Sequence, residues 1–400
     1  MDIKHLNNIE ETIRISVADK KVAGVNVLVV KDGKEMGYFQ AGFADIEKNQ
    51  LFNRDTIVRL YSQSKPVTAV AAWILIEKGK MELHDEVGKF IPEFWNLKVC
   101  INKNDVKPVS RHLTIQDLLN MTSGYGYGAW SEDSLSGEKE TTKLLNELNA
   151  DVLGENKITT KEVAKRLAGI PVNFEPGTDY NYGLSADILG AVIEVVSGMK
   201  FSDFLKKNIF EPLGMKDTDF YVPEEKLPRL ACVYKVVQDK DFKNHLELFT
   251  NPNLGIQPLM DHAPAFESGG AGLCSTLDDY LKFAQMLLNG GILDGHRILQ
   301  EKTVEYLSSA RLRPDLQQKF DMRMPHLAGY TYCNLLRVAI EPGFCNVLTE
   351  KGEFGWDGWL GPFVSIDRKN KLIVLMAMQK CDAGTWELTR KVRNIIYSSL

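Results

Sequence analysis

The stretch Leu60-Tyr61-Ser62-Gln63-Ser64-Lys65-Pro66-Val67 opens the longest apolar run of the chain, residues 67–76, and no other segment constrains the fold as much. Val67, Val70, Ala71, Ile74 and Leu75 form one stripe at helical spacing, and Ala69, Ala72 and Trp73 leave little polar surface elsewhere. A helix apolar nearly all round is a buried central helix, so the rest of the chain has to build layers around it. Gly79 stops it. Pro66 fits if the helix begins near Ser62, because first-turn N–H groups have no intrahelical partner. It also disfavours the helical region for Lys65.

With 400 residues the chain exceeds what one hydrophobic core usually fills, so two domains or a domain with a large insertion are expected. Apolar residues make up 44% and charged residues 25%, as in a soluble globular protein. A net charge of -5 gives no electrostatic case for nucleic acid or an anionic membrane. The start, Met1-Asp2-Ile3-Lys4-His5-Leu6, has no basic region and no apolar core of a signal peptide. The run 67–76 is too short to span a bilayer. Cys100, Cys232, Cys274, Cys333, Cys345 and Cys381 stand singly, which matches neither a zinc pattern nor a disulfide framework and suits a reducing cytoplasm.

Ile9, Ile13 and Val17 at helical spacing predict an N-terminal helix over 8–19. Residues 22–30 (VAGVNVLVV) and 35–44 read as a hairpin turned at Asp32-Gly33. From about residue 84 to 260 the texture changes to helices separated by loops: 112–121, 161–167, 186–196 and 201–209. Residues 131–156 are polar and read as an exposed excursion, and 232–266 show no clear periodicity. Gly269 to Leu273 is a glycine turn before a helix over 280–288. Residues 330–340, 355–366 and 372–379 read as strands, and 385–400 as a closing helix. Strands at both ends around a helical middle imply one antiparallel sheet flanked by helices. Residues 1–83 and 265–400 would form that discontinuous domain, and 84–264 a mostly helical insertion with the active site at the interface.

A serine at a helix start has backbone N–H groups ready for an oxyanion. A lysine at i+3 lies on the same face, and its burial would lower its pKa enough to take the serine proton. Ser-x-x-Lys occurs three times, at Ser62–Lys65, Ser136–Lys139 and Ser197–Lys200, and only the first opens a buried helix. A capping serine beside a lysine reaching to solvent is the competing explanation.

Five blocks set the first copy apart: SQSKPVTAVAAWILIEKGKMELHD (62–85), LTIQDLLNMTSG (113–124), PGTDYNYGLSADILGAVIEVVSG (176–198), SGGAGLCSTLDDYLKFAQMLLNGG (268–291) and FGWDGWLGPFVSID (354–367). In their order they resemble the serine β-lactamase and penicillin-binding-protein superfamily, closest to the class C-like branch with family VIII esterases. The resemblance implies a β-lactamase-like α+β fold, with Ser62 as nucleophile, Lys65 as its partner and Tyr182 as catalytic tyrosine. Tyr180 is the competing tyrosine. A phenol beside a lysine ammonium is expected to have a lowered pKa. The N–H groups of Ser62 and Trp359 are expected to form the oxyanion hole. Trp356, Asp357 and Gly358, with Tyr125, are the expected substrate-binding residues.

Three departures bear on the substrate. Tyr182-Gly183-Leu184 lacks the asparagine common in β-lactamases, the third motif lacks the lysine that would hold a β-lactam carboxylate, and Asp357 puts a negative charge in its place. Trp130, Trp356 and Trp359 are expected to line an apolar pocket. His112 reads as structural. These features favour a neutral or cationic small-molecule ester or amide, cleaved through an acyl-enzyme without metal or organic cofactor. Tyr182 would then be the base in deacylation. β-Lactamase or DD-carboxypeptidase activity, and a non-hydrolytic sensor on the same fold, are the rival readings. Oligomeric state is not legible.

Overall fold

The computed structural model describes residues 1–384 and 386–400. Its frame is one eight-stranded antiparallel sheet. The N-terminal part supplies β1 (Gly24–Lys31), β2 (Lys34–Asp45) and the short β3 (Gln50–Leu51). The C-terminal part supplies β4 (Tyr330–Cys333), β5 (Leu336–Ala339), β6 (Phe354–Asp357), β7 (Phe363–Asp367) and β8 (Leu372–Met378). The order is β4-β5-β6-β7-β8-β1-β2-β3, so β1 against β8 joins the two chain ends, with Val27 opposite Met376. Asp32 and Gly33 turn the β1–β2 hairpin with φ of 51° and 71°, the primed-turn geometry an Asp-Gly pair favours.

Alternation along the central strands buries both faces. Val25, Val27 and Val29 of β1, with Val374 and Met376 of β8, pack against α1 (Asn8–Ala18). Leu28, Val30, Ile373 and Leu375 point the other way, into the core that holds α2 (Lys65–Glu77). This is the period-two pattern of a sheet covered on both sides. Val67, Val70, Ile74 and Leu75 of α2 are almost wholly buried, and each contributes about 1.5–3 kcal/mol. Farther along the chain, α3 (Ser136–Leu153), α4 (Ser185–Ser197) and α5 (Leu277–Leu288) add buried side chains to the same core, and α4 packs directly on α2. The last helix, α6 (Glu387–Ser398), lies beside α1 on the other face. The expected closing helix began at Thr385, which lies outside the described residues. Among the described residues no helix is long and apolar enough to cross a membrane.

Several local expectations are corrected. Residues 131–156 are not simply an exposed excursion: α3 is 18 residues long and buries Leu144, Leu145, Leu148 and Val152. That stripe is hidden in sequence by the charges of Glu138, Lys139, Glu140, Lys143 and Glu147. Residues 330–340 are two strands, because Asn334 and Leu335 both have positive φ and make a hairpin. The strand expected over 355–366 breaks at Gly358, and the loop 358–362 returns it as β7. Residues 232–266 contain a small hairpin, Tyr234–Gln238 with Asn244–Leu248. The helix expected at 112–121 shortens to Ile115–Leu119, because Thr114 caps it with Asp117 in a reciprocal capping box.

Candidate active site

Ser62 sits in a single 3-10 turn, Tyr61–Ser64, that leads into α2. Lys65 is helical despite the proline after it, and Pro66 falls in the first α-turn where no N–H is missed. Tyr61 carries a φ of 45°, a left-handed conformation that costs a bulky residue about 1–2 kcal/mol. Packing holds it there: its ring meets the Trp359 ring edge-on at 5.0 Å, and Leu360 and Ile256 fill the same cluster. The strained residue presents Ser62, which is half-buried, while Gln63, Ser64 and Lys65 behind it are buried.

Lys65 has no exposed surface, and its ammonium has three partners. Nζ lies 3.0 Å from Ser62 Oγ, 3.0 Å from the Tyr127 hydroxyl and 2.8 Å from Gly270 O. The Tyr182 ring is 4.7 Å from the same nitrogen. Burial pushes the Lys65 pKa down to about 7, against the opposing pull of Asp187 and Asp357. At neutral pH a large fraction of Lys65 is therefore an amine with a lone pair beside Ser62. The hydrolysis rate, as kcat/KM, is expected to rise through pH 7 and level off above it, because the neutral amine is the base. A profile flat from pH 6 to 8 and rising only near pH 10 would exclude this ionisation.

Two tyrosines border Ser62, where one was expected to act. The Tyr182 hydroxyl accepts from Trp356 Nε1 at 2.8 Å, the Tyr127 hydroxyl lies 3.0 Å from Lys65 Nζ, and both phenols interact with Ser62. Their rings meet edge-on at 5.8 Å. Burial raises both phenols above the usual value, the hydrogen bonds to Ser62 opposing it only in part. The expected lowering of the Tyr182 pKa is thus reversed. Desolvation outweighs the neighbouring lysine, which is itself readily neutral. The group tuned toward neutral pH is Lys65, not Tyr182.

Tyr125 lies elsewhere than expected. It is buried against Phe94 and donates its hydroxyl to Leu167 O at 2.7 Å. Tyr127, two residues on, takes the place at Lys65 that the sequence reading left unassigned. Tyr180, the competing tyrosine, packs on Phe320 and Tyr332 and its buried hydroxyl has no partner. Trp130 is 90% exposed, whereas Trp356 is buried.

The glycine turn clamps Lys65 from the far side. Thr68 Oγ1 donates to Gly269 O at 2.6 Å, and Ser64 Oγ accepts from Leu273 N at 3.1 Å. Asp187, at the start of α4, accepts from Ser268 Oγ at 2.5 Å and from Gly270 N at 3.1 Å, which aims Gly270 O at the lysine. A Cβ on Gly269 would stand 2.3 Å from Ala186 O, so this approach requires glycine.

β6 forms the remaining wall. Trp356 packs on Tyr332 at 4.7 Å and on Tyr182 at 5.4 Å. Asp357 is buried, and its charge acts on both Lys65 and Tyr182. A Cβ on Gly358 would meet Leu60 O at 2.1 Å, so the loop 358–362 runs directly against the backbone before Ser62. Trp359 is held in place: Nε1 donates to Asp382 at 2.7 Å, its carbonyl accepts from Ala383 N at 2.9 Å, and its ring meets those of Tyr61 and Phe249.

The family model described as Beta-lactamase matches residues 9–390. Esterase EstB of Burkholderia gladioli is 26% identical over 96% of this chain and 93% of its own. Protein Rv1367c of Mycobacterium tuberculosis is 29% identical over 90% of this chain and 86% of its own. Among solved structures, EstCE1, a hydrolase with promiscuous acyltransferase activity, superposes with a TM-score of 0.81 at 23% identity over 99% of each chain. A family VIII carboxylesterase superposes at 0.69 and 19% identity, over 99% of this chain and 98% of its own. This chain belongs to the β-lactamase family.

Proposed function

We propose that Ser62 is the nucleophile of a serine hydrolase that cleaves small-molecule esters or amides through an acyl-enzyme. The observation that carries this is the fully buried Lys65, whose Nζ lies 3.0 Å from Ser62 Oγ. Ser62 Oγ attacks the carbonyl carbon as its proton moves to the Lys65 amine. Developing charge on the carbonyl oxygen falls to the N–H groups of Ser62 and Trp359. The Lys65 ammonium then protonates the leaving alkoxide or amine. In the second half Lys65, again neutral, takes a proton from the water that attacks the acyl group and returns it to Ser62 Oγ as the Oγ–acyl bond breaks and the acid leaves. Tyr127 and Tyr182 keep their protons and orient Ser62 by hydrogen bonding. This assignment moves the deacylation base from Tyr182 to Lys65.

EstB is named an esterase, and EstCE1 a hydrolase with acyltransferase activity, which favours ester substrates here. Two Salmonella relatives, 25% identical, are named putative D-alanyl-D-alanine carboxypeptidases, so a peptidase reading remains the alternative. Asp357 weighs against it for anionic substrates, since a buried carboxylate beside Lys65 repels a substrate carboxylate. Residues 1–83 and 265–400 are read as one unit around the sheet and 84–264 as the insertion, with Ser62 between them. A cytoplasmic setting is the reading that six free cysteines favour.

The test is a panel on one preparation: p-nitrophenyl butyrate, a D-aminoacyl amide and nitrocefin. The ester is expected to exceed nitrocefin in kcat/KM by about tenfold or more, since each 1.4 kcal/mol of repulsion is a factor of ten. Asp357→Asn should narrow that gap. Nitrocefin turning over as fast as the ester would favour the β-lactamase reading instead.

A further inference from the structure

Arg59 lies three residues before Ser62, in the short strand Val58–Arg59 that pairs with Cys274–Ser275. It is 5% exposed, and no carboxylate among the described residues pairs with it. Nη1 donates to Ala231 O at 2.7 Å and to Gln379 Oε1 at 3.2 Å, and Nη2 contacts Pro258 O. The Nε–H is buried with no partner. A guanidinium has five N–H donors, and here two of them, one on Nε and one on Nη2, are left over. A buried cation without a counter-ion is unusual, because desolvation costs several kcal/mol and carbonyl oxygens return only part of it.

This side chain lines a cavity of about 250 Å³ that opens to solvent. The other walls are largely apolar: Leu227, Leu230, Val233, Phe249 and Leu259. Of the other charged groups at the cavity, Asp45 is paired with Lys48 at 3.1 Å, and Asp261 is hydrogen-bonded to the His262 ring at 2.7 Å. Among the described residues Arg59 has no carboxylate within ion-pair distance. None of the groups around Ser62 lines this cavity, but Phe249 joins the two, since its ring packs on Trp359 at 5.6 Å.

We propose that this cavity is a binding site for a short-chain monocarboxylate, with the carboxylate on Arg59 and the hydrocarbon against Leu230, Phe249 and Leu259. A carboxylate supplies the counter-charge that Arg59 lacks, and the volume limits the tail to a short chain. Binding at this site does not depend on the hydrolase reading. The ligand is either the acid released at Ser62 or a free carboxylate from elsewhere, and both carry the same chemistry.

The experiment is calorimetric titration of sodium hexanoate, with hexanamide as the neutral control, into the full chain. Wild type and Ser62→Ala are expected to bind hexanoate equally, and hexanamide about tenfold more weakly or not at all. Leu259→Glu changes an exposed wall residue, puts a negative charge at the mouth and should weaken hexanoate at least tenfold. Arg59→Gln, if folded by circular dichroism, should do the same. Reacting Ser62 with a fluorophosphonate should leave hexanoate binding intact. Whether hexanoate also slows ester turnover without competing with the ester distinguishes a free effector from acid product returning to Ser62. The proposal is overturned by absence of saturable binding, by equal binding of hexanamide, by binding that survives Leu259→Glu, or by binding that the fluorophosphonate abolishes.

Discussion

Ser62→Ala is expected to lower ester hydrolysis by roughly 10⁴-fold or more, the scale seen when the nucleophile of a serine hydrolase is removed. The change deletes one hydroxyl from a half-buried turn, so the melting temperature should move little. Loss of activity with the fold intact separates chemistry from structure. Lys65→Met should cost a comparable amount, because nucleophile and base act as one unit and their effects do not add. The double variant is therefore expected to be no worse than either single one. Steady-state assay with p-nitrophenyl butyrate reads all three, and substantial activity in Ser62→Ala would remove Ser62 from the mechanism.

The largest stability effect is expected far from Ser62, at Glu353. This carboxylate has no exposed surface and accepts from Arg337 at 2.7 Å, from Arg393 at 3.2 Å and from Ser365 at 2.6 Å. Arg393 also reaches the Tyr330 hydroxyl at 2.7 Å, so one carboxylate fastens α6 to the β4–β7 end of the sheet. The two guanidinium groups lie over the Phe363 ring at 4.8 and 5.5 Å. Replacing Glu353 with leucine leaves two buried cations with no counter-ion, which costs about 3–5 kcal/mol. For a chain this long that is a drop of roughly 5 °C in melting temperature. Burial alone would raise the Glu353 pKa, but Arg337 and Arg393 outweigh it and hold it below the usual carboxylate range. Its folded pKa is below its unfolded one, so the contribution is complete above about pH 4.5 and is lost as pH falls through the folded value. The wild-type melting temperature should fall more steeply below pH 4.5 than that of Glu353→Leu. Equal stability of the two proteins at pH 7 would refute the account of this cluster.

What was legible in the sequence follows from what is local. The all-round apolar face of α2, the Asp32-Gly33 turn and the alternation of β1 each encode their structure within a few residues. Ser62, Lys65, Tyr182 and Trp356 were legible as matches to ordered blocks, and the fold brings them together. Tyr125 and Tyr127 show where that stops. They lie two apart with one glycine between them, and only the tertiary path of the loop decides which hydroxyl reaches Lys65 and which Leu167. The Tyr182 pKa failed for a related reason. Sequence gives a residue's neighbours by analogy but not its desolvation, and desolvation dominates. The hairpin at Asn334-Leu335 was hidden because leucine is not a turn residue. Leu335 holds its positive φ through complete burial and a bond from its N–H to Leu119 O.

The central claim is that Ser62 forms a covalent acyl-enzyme. Its most direct test is to treat the protein with a fluorophosphonate at pH 8 and locate the adduct by peptide mass spectrometry. The account predicts one adduct, on Ser62, that forms faster as pH rises through 7 and is absent from Ser62→Ala. An adduct on another residue, or none while ester turnover continues, would contradict it.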